Sequence, residues 1–182
     1  MTKRRIGVLV ACLLLVAAGV AQTPPAKQAT AEKKSGGTAR SMLVMPGSEQ
    51  WTDVPAAALV GTPSVEMGGT IKIAVLQGDP MTAGRSFTIR LSCTDGTKIA
   101  PHWHPTTENV TVVKGTFLIG MGAKWDDAAM KEMPVGGFAS APAQMRHYAQ
   151  CKGDGVVQVN GIAPFVVNFV GPDDLGPAKK MN

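Results

Sequence analysis

The chain has 182 residues, 45% of them hydrophobic, and a formal charge of +5. That charge is unevenly placed: residues 1–41 carry seven Lys and Arg against one acidic residue, and residues 42–182 carry eleven against twelve. The bulk of the chain therefore lacks the clustered basic side chains that a phosphate backbone requires, which argues against a nucleic-acid partner.

Met1–Arg5 places Lys3, Arg4 and Arg5 ahead of the apolar run Ile6–Val20, and small residues follow up to Ala21. This is the layout of a secretory signal peptide, and cleavage after Ala21 is expected. The run is shorter than the about 20 residues a spanning helix needs, so no stable membrane span is expected. A retained N-terminal anchor is the rival reading. Leu9-Val10-Ala11-Cys12 also resembles a lipoprotein cleavage box, but the apolar run continues past Cys12, which places that cysteine in the discarded segment. The protein is expected to be exported, to the periplasm or beyond the cell.

Residues 22–41 are rich in Ala, Lys, Thr, Pro and Gly without apolar periodicity, and read as a flexible tether. Residues 42–172 are long enough for one ordinary domain with its own core. Residues 173–182 read as a loose polar tail. Within the domain, Cys93 and Cys151 are compatible with a disulfide in an oxidising compartment, or with two separate buried thiols; their Cβ positions decide.

From Ser41 onward, short segments rich in Val, Ile, Thr and Phe recur between Gly, Pro and Asp, the pattern of an all-β domain. The predicted strands are 70–76, 87–92, 99–104, 109–113, 116–121, 137–141, 146–150, 155–160 and 165–169. Asp95-Gly96, Lys114-Gly115 and Lys152–Gly155 read as turns. Trp125–Glu132 alone reads as helical, for a turn or two. Trp51, Phe87, Phe117 and Phe165 are assigned to the core. So many short strands fit a sandwich or a double-sheet jelly roll, and periodicity alone does not choose between them.

The chain has three histidines. His102 and His104 flank Trp103, and on a strand residues i and i+2 share a face, with Cα atoms roughly 6.6 Å apart. Two imidazoles so placed can converge on one ion. Pro105 ends the ladder, and Glu108 follows at the start of the next strand, where its carboxylate can add a hard oxygen donor. His147 lies in a later strand-like stretch. An isolated His-x-His, a lone histidine or a lone glutamate would each be unremarkable on a surface; brought together from separate strands, the four would make a ligand set for one divalent ion.

The spacing Gly96, five residues, His102-x-His104, three residues, Glu108, six residues, Gly115 resembles the first sequence motif of the cupin superfamily without a mismatch. Gly136, five residues, Pro142, and His147 five places on resemble the second. Gln144 stands where that motif has glycine, and Cys151 where many members have asparagine, which implies an altered turn and back wall but removes no ligand. The resemblance, closest to exported single-domain cupins, covers about Trp51 to Pro172. It implies a double-stranded β-helix, or jelly-roll barrel, with a divalent ion (Fe, Mn, Ni, Zn or Cu) held by His102, His104, Glu108 and His147. It further implies dioxygenase, decarboxylase or isomerase-like chemistry on a small oxygenated molecule, or a non-catalytic binding or sensing module, and pairing into a homodimer through sheet edges. Strand alternation adds Val110, Val112, Met145 and Ala149 as cavity-lining residues, and Gln158 and Asn160 as groups facing either the cavity or water.

Overall fold

The computed structural model describes residues 42–171; the expected leader, tether and tail lie outside them. The described residues form ten strands: β1 (Thr52–Asp53), β2 (Leu59–Val60), β3 (Ile71–Gln77), β4 (Ser86–Cys93), β5 (Lys98–Trp103), β6 (Glu108–Met121), β7 (Lys131–Met133), β8 (Phe138–Ala141), β9 (His147–Ile162) and β10 (Val167–Phe169). The only helical pieces among them are single 3-10 turns at Ala56–Ala58 and Asp127–Ala129. No described helix is long and apolar enough to cross a membrane.

All ten strands join one sheet in the order β1-β3-β4-β9-β5-β10-β2, with β6 pairing β7, β8 and β9. Two long strands make the sheet curl on itself. The second half of β9 lies against β4, from Cys93↔Gly155 to Ser86↔Ile162, while its first half lies against β5, where His102 faces His147. β6 follows β9 along nearly its whole length, from Glu108↔Gly161 to Met121↔His147. The rod-like pair β6–β9 thus carries each end of the sheet to a different neighbour, and the concave side collects the apolar residues.

That is why the segments predicted as separate strands at 109–113 and 116–121 are one strand, and those at 146–150 and 155–160 another. The expected turns at Lys114-Gly115 and Lys152–Gly155 are bends within continuous strands, where the β6–β9 register shifts twice around Lys114. Such a bulge adds a residue and increases the local twist without breaking the ladder. Gly115 adopts φ +74°, and a Cβ there would lie 2.8 Å from the Asp154 carbonyl oxygen, so glycine is required by both conformation and space.

Trp125–Glu132 is also corrected. Asp126 caps one turn by accepting from the Ala128 amide at 3.0 Å. The chain then extends at Met130, and β7 pairs with Phe117–Ile119, burying Met133. Burial of one apolar face outweighs a weak local helix preference. Two-residue strands β1 and β2 are too short to leave a periodic signal. Trp51, expected in the core, is 36% exposed.

Alternation along the strands builds the core. Phe87 and Ile89 on β4, Val110 and Val112 on β6, and Val157 and Val159 on β9 are all buried and pack together with Phe117 and Phe165. Cys93 at the end of β4 and Cys151 within β9 form a disulfide, with Cα atoms 6.4 Å apart.

Candidate metal centre

Four polar side chains are buried together on the concave side, at 2–6% exposure: His102, His104, Glu108 and His147. Strand geometry places them. His102 is near the end of β5 and His104 lies just beyond it, so the two share a face. Glu108 opens β6 and His147 opens β9, and His147 is the direct cross-strand partner of His102. The imidazole centroids are 4.2 Å apart for His102–His147, 4.9 Å for His102–His104 and 5.4 Å for His104–His147. One nitrogen from each ring lies within 4.8 Å of the others, near the about 4.2 Å spanned by two opposed metal–nitrogen bonds. Glu108 Oε2 is 3.1 Å from His147 Nε2 and 3.6 Å from His104 Nε2.

The outer edges of the rings are tied to backbone. His102 Nδ1 donates to the Ala100 carbonyl at 2.7 Å, His104 Nδ1 to Val166 at 2.8 Å and His147 Nδ1 to Met145 at 2.9 Å. A carbonyl can only accept, so each Nδ1 carries a proton, and once Nε2 is deprotonated each ring presents that lone pair inward. Nε2 of His104 and of His147 is fully buried and makes no regular hydrogen bond, with the Glu108 carboxylate as the one charged group beside them. Buried nitrogens left open while the opposite nitrogens are anchored suit a metal ion, whose imidazole ligands are commonly held this way. The three buried histidines can therefore hold a metal ion.

Electrostatics reinforce the arrangement. Burial pushes His102 well below the ordinary histidine range, and the neighbouring imidazoles add to the effect. Burial lowers His104 too, with Glu108 opposing. Burial alone would raise Glu108, but the contact with His147 and the other rings carry it down to about 2. For His147 burial acts downward, and the Glu108 carboxylate outweighs it, leaving the ring above its ordinary value.

The cluster opens into a cavity of about 550 Å³. Of the residues expected from sequence to line it, Val110 and Ala149 do so. Val112 is buried in the core and absent from the cavity wall. Met145 sits in the turn before β9 with 41% exposure, outside the cavity, and contributes its carbonyl rather than its side chain. Gln158 and Asn160 are also outside it: Val157 and Val159 take the cavity face, and Asn160 Nδ2 donates to Thr88 Oγ1 at 3.0 Å on the other. Phe165, which stacks on His104 at 4.6 Å and 15°, joins Phe117, Ile73 and Leu91 on the wall. Their apolar alternation was readable, but only the curl of the sheet directs it at the histidines. The carbonyls of Ala100, Met145 and Val166 leave no sequence signal, since every residue has one.

Gln144 replaces the motif glycine with φ 65°. Its amide donates to the His104 carbonyl at 2.8 Å, and Met145 N donates to Pro142 at 3.0 Å. The 142–145 turn thus touches His104 through one backbone group and His147 through another.

Neither a protein-family model nor a curated protein matches the sequence. Solved structures do match. A candidate acetylacetone dioxygenase of Methylibium petroleiphilum PM1 is 22% identical over 78% of this chain and 89% of its own, with a TM-score of 0.53. An acetylacetone dioxygenase of Acinetobacter johnsonii is 16% identical over 76% and 83%, also at 0.53. An RmlC-like cupin of Shewanella frigidimarina NCIMB 400 aligns over 68% and 91% at 16% identity and 0.49. At these identities the likeness concerns the fold. Together with the curled ten-stranded sheet and the buried histidines inside it, the two matches at 0.53 establish that the described domain has the cupin fold.

Proposed function

We propose that the protein binds one divalent ion (Fe, Mn, Ni, Zn or Cu) through His102, His104, Glu108 and His147, and uses it on a small oxygenated molecule. The observation that carries this reading is the pair of buried, unpartnered Nε2 atoms on His104 and His147, each on a ring whose Nδ1 is fixed to a carbonyl. Three imidazoles and one carboxylate leave coordination positions facing the cavity. When bound, the ion supplies Lewis acidity and, if redox-active, electrons for dioxygen chemistry.

The protein's own share is to hold the donors, exclude water and shape the cavity. Among the described residues, Asp53 is the only acid–base side chain on the cavity wall apart from the four proposed ligands, and it is 87% exposed and paired with Lys72. A decarboxylase or isomerase that moves protons would want a further acid or base beside the substrate. Oxygenase chemistry leaves more to the ion, and we favour it; a neighbour of the same fold is named a dioxygenase. The same bare wall also favours a second reading, a non-catalytic module in which the ion anchors a ligand.

Elemental analysis of untagged protein, followed by dioxygen uptake with Fe(II)-loaded protein and a panel of diketones, phenols and hydroxy ketones, tests both. Metal with turnover supports the enzyme, metal with saturable binding and no turnover supports the module, and absence of metal refutes both. Export is part of the proposal, from the leader-like residues 1–21. N-terminal sequencing of protein from the periplasmic fraction should begin at Gln22.

A further inference from the structure

We infer that the cavity selects uncharged, largely apolar oxygen-donor ligands, and rejects molecules bearing an anionic group beyond the one that meets the metal. This rests on the metal-site reading above and specifies its substrate class.

The wall decides the matter. Among the described residues, the only polar side chains lining the cavity besides the four central ones are Thr52 and Asp53; no described Lys, Arg, Ser, Asn, Gln or Tyr does so. The rest is apolar, with Ile73, Leu91, Val157 and Val159 on the sheet, Phe165 and Phe169 beside the histidines, and the thioethers of Met67 and Met81. Small-molecule sites place a few polar groups to fix orientation, and a ligand carboxylate ordinarily meets an arginine, a lysine or a cluster of donors.

The cations near the cavity are already engaged. Lys72 bonds to Asp53 at 2.6 Å, and Asp53 is itself a negative charge on the lining. Arg90 is on the opposite face of β4 from Leu91 and pairs with Glu49. In the centre, a dication, one carboxylate and three neutral imidazoles carry a net single positive charge. One anionic oxygen, such as a phenolate or enolate, balances it. A second anion held inside the cavity would lie against hydrocarbon without a partner, which is strongly unfavourable.

Two catechols with the same chelating end test this. Co(II)-loaded protein, followed by its visible spectrum, should bind 4-methylcatechol about a hundredfold more tightly than 3,4-dihydroxybenzoate. Equal or tighter binding of the benzoate would overturn the inference. Metal-stripped protein gives an independent reading: acetophenone should shift the methyl NMR signals of cavity Val, Ile and Leu residues, and benzoate should leave them in place. The reverse order would again overturn it. Failure to take up Co(II) would instead strike the metal site, and the acetophenone–benzoate comparison would still decide the character of the cavity. Leu91→Arg, checked for folding by circular dichroism, should gain at least tenfold in 3,4-dihydroxybenzoate affinity by providing the missing cation. A folded variant without that gain counts against the inference, and if the variant does not fold, the wild-type comparisons decide.

Discussion

His147 Nε2 lies 3.1 Å from Glu108 Oε2, although one residue opens β9 and the other opens β6. In the metal-free protein this contact holds Glu108 ionised and His147 above its ordinary value. A metal ion needs the same Nε2 lone pair, so it must displace the proton that Glu108 helps retain.

Metal uptake just above pH 6.5 should therefore release protons, up to about one per site. Calorimetry in buffers of different ionisation enthalpy measures it; uptake without buffer dependence would contradict the pairing. His102→Ala and Glu108→Ala should each lower metal content at least about tenfold, read by elemental analysis of purified protein. Unchanged occupancy would remove these residues from the ligand set.

The metal-free protein should lose stability steadily as pH falls below 6.5. His102 and His104 are depressed from 6.5, so the unfolded chain takes up protons first and folding is disfavoured from 6.5 down to their folded values. Glu108, lowered from 4.5 to about 2, contributes stability above 4.5 that is lost between 4.5 and 2. His147 is raised, so its contribution is complete below 6.5 and fades as pH rises through its folded value. Below 6.5 it adds no further change to offset the others. Thermal melts across pH 3–8 should show the decline, and Glu108→Gln should flatten its lower part. A constant Tm across the range would refute this account.

The Cys93–Cys151 bridge closes a loop with a sequence separation of 58. Chain-entropy reasoning assigns such a loop about 4 kcal/mol. A Cys93→Ser, Cys151→Ser double variant should lose stability of that order in urea titrations, with metal content retained if the curled sheet survives. Denatured, unreduced protein should show neither of these two thiols reacting.

Gln144 holds a left-handed conformation that glycine adopts freely. Gln144→Gly should be neutral or stabilising by up to about 1 kcal/mol, whereas Gln144→Val should destabilise by at least about 1 kcal/mol. Because the turn contacts His104 and His147 through backbone groups, Val should also weaken metal retention and Gly should not. Equal retention in both variants would separate the turn from the site.

Local spacing determined much about this protein. The all-β class followed from strand-length apolar segments, and the pairing of His102 with His104 from a two-residue period on one strand. These are properties of neighbours in sequence; Glu108 and the distant His147 joined them through the resemblance to the two cupin motifs. Strand continuity was not local: Lys114-Gly115 and Lys152–Gly155 carry turn chemistry, yet cross-strand pairing bends them into β6 and β9. Tertiary structure also decided which face of each strand became the cavity. Gln158 and Asn160 lost that face to Val157 and Val159 because β9 curls its apolar side inward. Only packing joined Cys93 to Cys151 and brought carbonyls from three separate segments behind the histidines, because a backbone oxygen acquires a role only from what the fold sets beside it.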